Sequence, residues 1–439
     1  MQADREVKWY SAAAVVSPAL FVLAPGFLVI AAVAVVVAGR LTRGGSRCTV
    51  PRLASNDLMV MGVAFALAAV WSAVAGSGGF EAVGMVLRFS LVPIGFAVVR
   101  GSARVDLRHS IWLGAVIGAV AAGTASVLLL LITEMARPTS YANPIHFGEM
   151  ALVLGFVAAA TRGIATGNPK RIDRLTLVAV GAALTAGLLS HARGGWIALP
   201  AIILVTAVHH VRSPDSRRLR YVFALSLALV PVLGLAATAN NRAALNAFDR
   251  GISQTVEYVV NHGDADTGET SVGARLEMWR SAFEGFRREP ALGIGWGNMD
   301  DRFQEDVDAG VRAERIAEHS HPHNQYLSHL GSGGIVGLGT FLALLGVPGW
   351  ICGRALMRRR GDAQALGGAG LVVIVGYATF SLTDSVFETA SPLVFFVAAV
   401  GTIVAQIDRV ESEQVFVYPS IDGMEQPQRL VEGHRTDAL

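Results

Sequence analysis

The sequence predicts an all-α integral membrane protein with about twelve transmembrane helices and one large, partly helical loop outside the membrane. Three observations carry that prediction. Of 439 residues, 52% are hydrophobic and only 16% charged, where a soluble domain carries about 25% charge, and mean hydropathy is +0.48. Apolar runs long enough to cross a bilayer recur along the chain. Basic residues gather in every second connection between those runs, so the distribution of charge is informative where its sum of +2 is not.

The first apolar stretch, 9–39, is long enough for two short helices broken near Pro25-Gly26. Further spans are expected at 57–76, 80–99, 109–133, 146–166, 174–190, 194–212, 219–239, 325–353, 364–383 and 389–407. No cleavable signal peptide is expected, because 1–8 is short and mixed in charge and the following apolar stretch is too long for an h-region.

One set of connections holds Arg40, Arg43, Arg47 and Arg52, then Arg100, Arg104 and Arg108, then Arg162, Lys170, Arg171 and Arg174. It continues with Arg212, Arg217, Arg218 and Arg220, then Arg354, Arg358, Arg359 and Arg360. The alternate short connections hold only Arg137 and Arg193. Positive loops stay in the cytoplasm, so both termini are expected there. The two cysteines, Cys48 and Cys352, lie beside arginine-rich loops, and no disulfide is expected.

The expected organisation is a transmembrane bundle over 1–239 with about nine spans, an extracytoplasmic loop over 240–322, and about three more spans over 323–407. A cytoplasmic tail over 408–439 is expected to be largely disordered after Gln406. The 240–322 loop is far longer than an ordinary connection. It contains Leu276, Trp279, Phe283 and Phe286 at helical spacing, with Arg275, Glu277, Arg280, Glu284 and Arg287 on the other faces. Such a helix lies on the membrane surface or packs down onto the bundle. Upstream, 263–273 reads as a turn-rich connector.

The residues with most to say about chemistry follow that helix, in EHSHPHNQYLSHLGSGGIVGLGTF from Glu318 to Phe341. Histidine exchanges protons near neutrality, and here a histidine cluster stands where a polar segment re-enters an apolar one. His319, His321 and His323 alternate, and His329 follows. An HxHxH run on one strand needs metal ligands from elsewhere, and no second Cys/His/Asp cluster is apparent, so a metal site is not expected. The plain alternative is a polar loop whose histidines face water; the functional one is that a histidine is a general base. Pro322 suits the first turn of a helix, which would set His323 and Asn324 at the N-terminus of the 325–353 span. A helix N-terminus favours anions over cations, which suits a group that must accept a proton. The GSGGIVGLG that follows supplies small residues for close helix packing.

Arginines complete the picture, because the planar guanidinium donates two parallel hydrogen bonds to phosphate. Arg193 stands in SHARGGWIAL, a connection so short that it must lie at the membrane surface. Arg275 stands in ARLEMW and Arg137 in ARPTSYANPIHFG. Arg88 falls inside a predicted span, roughly 12 Å below its outer end at the helical rise per residue. A charge there marks a functional site or snorkels or pairs with a buried acid such as Glu149. Solvated surface charge is the corresponding plain reading of Arg193 and Arg275.

The order of an RGGW turn, a long loop containing ARLEMWRSAFEGFRREPALGIGWGN, and then HPHNQYLSHLGSGGIVGLG resembles the O-antigen ligase/polymerase superfamily of bacterial envelopes, and most closely the O-antigen ligases. The resemblance is densest over about 190–345. It implies glycosyl transfer at the periplasmic face of the inner membrane, from an O-antigen glycan on undecaprenyl diphosphate to a sugar hydroxyl of lipid A–core. It further implies an inverting reaction without metal or other cofactor, and no nucleic-acid partner. The family's essential histidine precedes an asparagine, matching His323 and Asn324; its two prominent arginines match Arg193 and Arg275. Arg88 and Arg137 have weaker counterparts. His321 is the reserve base, and Arg280 a supporting candidate beside Asn324.

An activated diphosphate leaving group asks of a protein only that it deprotonate a hydroxyl, align it and stabilise the departing charge. The competing readings are an O-antigen polymerase, a protein O-oligosaccharyltransferase and, from another class, a transporter or flippase. Protein-glycosylating relatives are expected to be longer at the C-terminus. Transporters commonly show inverted repeats and intramembrane acids; no repeat stands out here and acids are sparse within the spans.

Overall fold

The computed structural model describes residues 105–133, 143–212, 268–358 and 361–417, with scattered positions in 11–19 and 253–260. Among the described residues the structure is helical, without strands. The elements are α1 (Arg108–Thr133), α2 (Pro144–Thr161), α3 (Pro169–Leu189), α4 (Arg193–Arg212), α5 (Ser271–Arg288), α6 (Met299–Asp308), α7 (Gln325–Leu356), α8 (Asp362–Phe380) and α9 (Ala390–Val417). Short 3₁₀ turns follow at Arg162–Ile164 and Glu314–Glu318.

Seven of these helices are long and apolar enough to cross a membrane, and they fall where seven of the spans are expected. Of the other expected spans, 57–76, 80–99 and 219–239 lie outside the described residues, as does 9–39 apart from scattered helical positions in 11–19; Arg88, Arg137, Cys48 and the tail beyond 417 lie outside them too.

Composition sorts the bundle. The apolar stretch of α2 is 89% buried, that of α1 only 39%: α2 is apolar all round and sits in the middle, packed by α1, α3, α4 and α8. Leu131 and Ile132 of α1 and Leu204 of α4 stay exposed, as helix faces against lipid do. At one end of the bundle Arg108 pairs with Asp106 and Asp362, Arg162 with Asp173, and Arg358 with Glu411 at 2.9 Å. Gln406 braces the same end, accepting from Leu107 N–H and donating to Val105 O, each at 3.0 Å.

These pairs modify one expectation. Of the tail expected to be largely disordered after Gln406, residues 407–417 are helical, because α9 runs on to Val417; the rest lies outside the described residues. Glu411 and Glu413 on that extension meet Arg358 and Arg409, each at 2.9 Å, so the basic connections hold a helix that its polar composition alone would not.

The long loop contains α5 and α6, and α5 packs on α7. Its buried face is Ala274, Glu277, Met278, Ser281, Ala282 and Gly285. The expected apolar stripe of Leu276, Trp279, Phe283 and Phe286 is not the packing face; Phe283 is 47% exposed. The reason is distance. A Cβ on Gly331 of α7 would lie 2.9 Å from Ala282 O, and helices that approach so closely select small side chains. Ala274, Met278 and Ala282 form a small core with Met299, Phe303 and Ile316, continued by Leu327 on α7.

The glycine run in α7 does more than permit packing. The helix breaks at Gly334, with φ 61° and ψ −156°, a conformation open essentially to glycine. The 290–295 segment fills the break: Ile294 N–H donates to Gly331 O and Gly295 N–H to Ser332 O, both at 3.0 Å, while Ile335 N–H donates to Pro290 O at 2.9 Å. Backbone groups freed inside a span must find new partners, and the loop supplies them. The loop is thereby laced into a membrane helix.

Candidate active site

At the end of the bundle away from the basic pairs, α2, α4, α7 and α9 begin and α3 and α8 finish. Gly148 of α2 lies against Ser190 at the end of α3. Gly194, second residue of α4, has no room for a side chain: a Cβ there would sit 2.4 Å from Glu149 Oε1 and 2.7 Å from Thr383 Oγ1. The RGG turn is thus a close approach of α4 to α2 and to the α8–α9 connection.

The start of α7 is tied to the same connection. Asn324 is the N-cap, its side-chain oxygen accepting from Leu327 N–H at 3.1 Å and its amide donating to Leu382 O at 3.2 Å. Gln325 N–H donates to Ser381 O at 2.8 Å. The Gln325 side chain accepts from Phe387 N–H at 2.9 Å and donates to Glu388 Oε1 at 3.2 Å, where Ser328 Oγ also donates at 2.5 Å.

This clamp delivers a carboxylate to the histidine. His323 Nδ1 stands 3.3 Å from Asp384 Oδ1, which also accepts from Ser385 N–H at 2.9 Å. Asp384 Oδ2 faces His146 Nε2 of α2, again at 3.3 Å but off the hydrogen-bonding line. Burial alone would raise the Asp384 pKa, but the two imidazoles and the Ser385 N–H outweigh it and hold the carboxyl well below its usual range. Asp384 is therefore an anion held between two imidazoles.

The position of His323 differs from expectation in one respect. Helix α7 starts at Gln325, so Pro322 is not in its first turn and His323 precedes the cap. Asparagine is the better cap, and Pro322 stays in the loop, where its carbonyl accepts from Trp279 Nε1–H of α5 at 2.9 Å. His323 takes φ 48°; the other described non-glycine residue at positive φ is His191, φ 54°, in the SHARGG turn. Such backbone is costly and collects at functional sites.

The other candidates distribute unevenly. The rings of His321 and His319 stand edge-on to His323, with centroids 4.5 and 5.1 Å away, and His321 Nδ1 accepts from His323 N–H at 3.3 Å. Burial, then the neighbouring His323 and His321, lower the His319 pKa. Among the described residues no group of three or more His, Cys, Asp or Glu side chains has the arrangement of a metal site. Arg193 is the first residue of α4. Arg275 lies on α5, four residues before Trp279. Arg280 does not join them; its guanidinium lies 4.9 Å above the Tyr258 ring and 3.5 Å from Glu277.

Sequence reasoning missed Asp384, His146 and Glu388. Asp384 and Glu388 were visible only as acids in TDSVFET, a short outer connection between apolar runs, and His146 as part of the NPIH start of α2.

Residues 177–342 match the family model described as O-antigen ligase. Over that segment the chain is similar to the O-antigen ligases. The match contains Arg193, Arg275 and His323, while His146 and Asp384 lie outside it. An uncharacterized protein of Haemophilus influenzae is 22% identical over 222 residues, covering 51% of this chain and 54% of that protein. The chain thus spans about half the length of this relative. With seven helices long and apolar enough to cross a membrane, the chain has the make-up of a multi-pass membrane protein.

Proposed function

We propose that this protein is an O-antigen ligase: an inverting glycosyltransferase that moves a glycan from undecaprenyl diphosphate to a sugar hydroxyl of lipid A–core, completing lipopolysaccharide. The observation that carries the reading is the His323–Asp384 pair at the convergence of helix ends. With Nδ1–H donating to Asp384, the His323 Nε2 lone pair is left to accept a proton. The acceptor hydroxyl gives its proton to Nε2 as its oxygen bonds to the anomeric carbon. The bond from that carbon to the diphosphate oxygen breaks, and the lipid diphosphate leaves with the electron pair. Arg193 and Arg275, with Arg88 and Arg137 as further candidates, stabilise that departing charge in place of a metal ion.

In this reading the chain spans the inner membrane twelve times, with termini in the cytoplasm and the 240–322 loop and the site in the periplasm. The basic end of the bundle supports that orientation.

A lipopolysaccharide gel from a deletion strain tests the activity. Loss of the O-antigen ladder with accumulation of the lipid-linked glycan is expected. Core bearing a single repeat unit would make it a polymerase, and an intact ladder would leave protein glycosylation or transport. With purified protein, lipid-linked donor and core acceptor, chelation by EDTA leaves transfer intact. Arg193→Lys and Arg275→Lys, which keep charge but lose the two-pronged donor, impair it strongly; near-normal transfer by both at normal protein levels refutes the diphosphate role.

A further inference from the structure

The second imidazole on Asp384 has no part in the chemistry so far. His146 is on α2, the central helix of the bundle, with its side chain 6% exposed and Nε2 3.3 Å from Asp384 Oδ2. The two oxygens of Asp384 are used differently. Oδ1 receives Ser385 N–H and faces His323, whereas Oδ2 looks into the bundle at His146. A carboxylate 12% exposed whose inner oxygen met only apolar groups would turn toward water or take up a proton, and either change would release His323.

We propose that His146 is a positioning residue that acts through Asp384, holding its inner oxygen so that the outer one stays turned to His323. The inference rests on His323 being the base. The anchor is well placed: α2 is the most buried helix of the bundle, whereas Asp384 and His323 both lie on connections. Asn324 and Gln325 fix the α8–α9 connection to α7; His146 fixes it to α2. Among the described residues, the carboxylate is faced by His146 and Glu149 from α2 and by His323 from the loop before α7, with His321 and His319 against His323.

The test uses the full-length protein in detergent with lipid-linked donor and core acceptor. His146→Ala should lower kcat by about 10- to 100-fold, the usual loss when a partner that orients an active group is removed, and leave the acceptor KM within about twofold. His146→Gln, whose amide reaches the same oxygen, should recover most of that loss. In an Asp384→Asn background His146→Ala should add nothing, because the residue it acts through is already disabled. Parental kcat for His146→Ala, or a full multiplicative loss on top of Asp384→Asn, would overturn the inference. If the alanine variant does not accumulate, His146→Gln against His146→Phe carries the comparison, and equal activity overturns it. An active His323→Ala removes the base reading beneath it; an inactive His323→Ala beside a parental His146→Ala removes the role of His146 alone.

Discussion

The two polar clusters of this molecule are balanced in opposite ways. In the loop layer, guanidinium groups are met by carboxylates. Arg312 pairs with Glu277 at 2.9 Å and with Glu284, and Arg302 pairs with Asp306 at 2.6 Å, an acid that also accepts from Ser281 Oγ at 2.5 Å. At the start of α7 a single carboxylate stands between two imidazoles. Guanidinium stays charged at any working pH, so its pairs are fixed struts. An imidazole can gain and lose a proton, so its pair can do chemistry while it holds shape. In the proposed reading, the partner of the acid, more than burial or charge count, separates framework from reactive site.

The largest expected effect lies on the reactive side of that contrast. His323→Ala should cut transfer by about 10²–10⁴-fold, the usual loss of a general base, with the protein still folded in the membrane. His321→Ala is the control that sharpens it: an inactive His321→Ala beside an active His323→Ala would move the base to His321.

On the framework side the effect should fall on stability. Arg312→Ala leaves Glu277, whose side chain is 3% exposed, with only Arg280 and Tyr258 among its described partners, and should cost about 1.5–3 kcal/mol, the worth of a hydrogen bond to a charged group. Thermal unfolding in detergent would show it, while kcat per folded molecule stays close to the parent. A large loss of kcat at full folded yield would break the distinction between the two clusters.

The smallest effect is expected at His319, between the two. Burial, helped by His323 and His321, places its folded pKa below the ordinary value. A histidine so shifted binds its proton more weakly when folded, so its contribution is full above about pH 6.5 and is lost as pH falls through the folded value. Thermal unfolding of the parent should therefore weaken on acidification more than that of His319→Gln. Equal pH dependence would show that His319 is solvated in the native protein.

Much of this was legible in the chain. Apolar runs and alternating arginines located seven helices, six of them to within about five residues and α9 only at its start, because hydrophobic length and charge are local properties. The RGG turn, the ARLEMW helix and the HPHN segment were each visible as motifs. The packing face of α5 was not: the sequence offers large apolar residues at helical spacing, and the fold buries Ala274, Ala282 and Gly285 because α7 comes too close for anything larger. The glycine run of α7 read as a packing surface. That Gly334 breaks the helix, and that the 290–295 segment repairs the break, depends on backbone hydrogen bonds between distant stretches. The site divides in the same way. Sequence by itself singled out His323, because a histidine beside a helix start is a local pattern. Only tertiary structure could add Asp384 and His146: they lie on separate elements far from it in the chain, and a carboxylate orients an imidazole through contact, which local spacing does not encode.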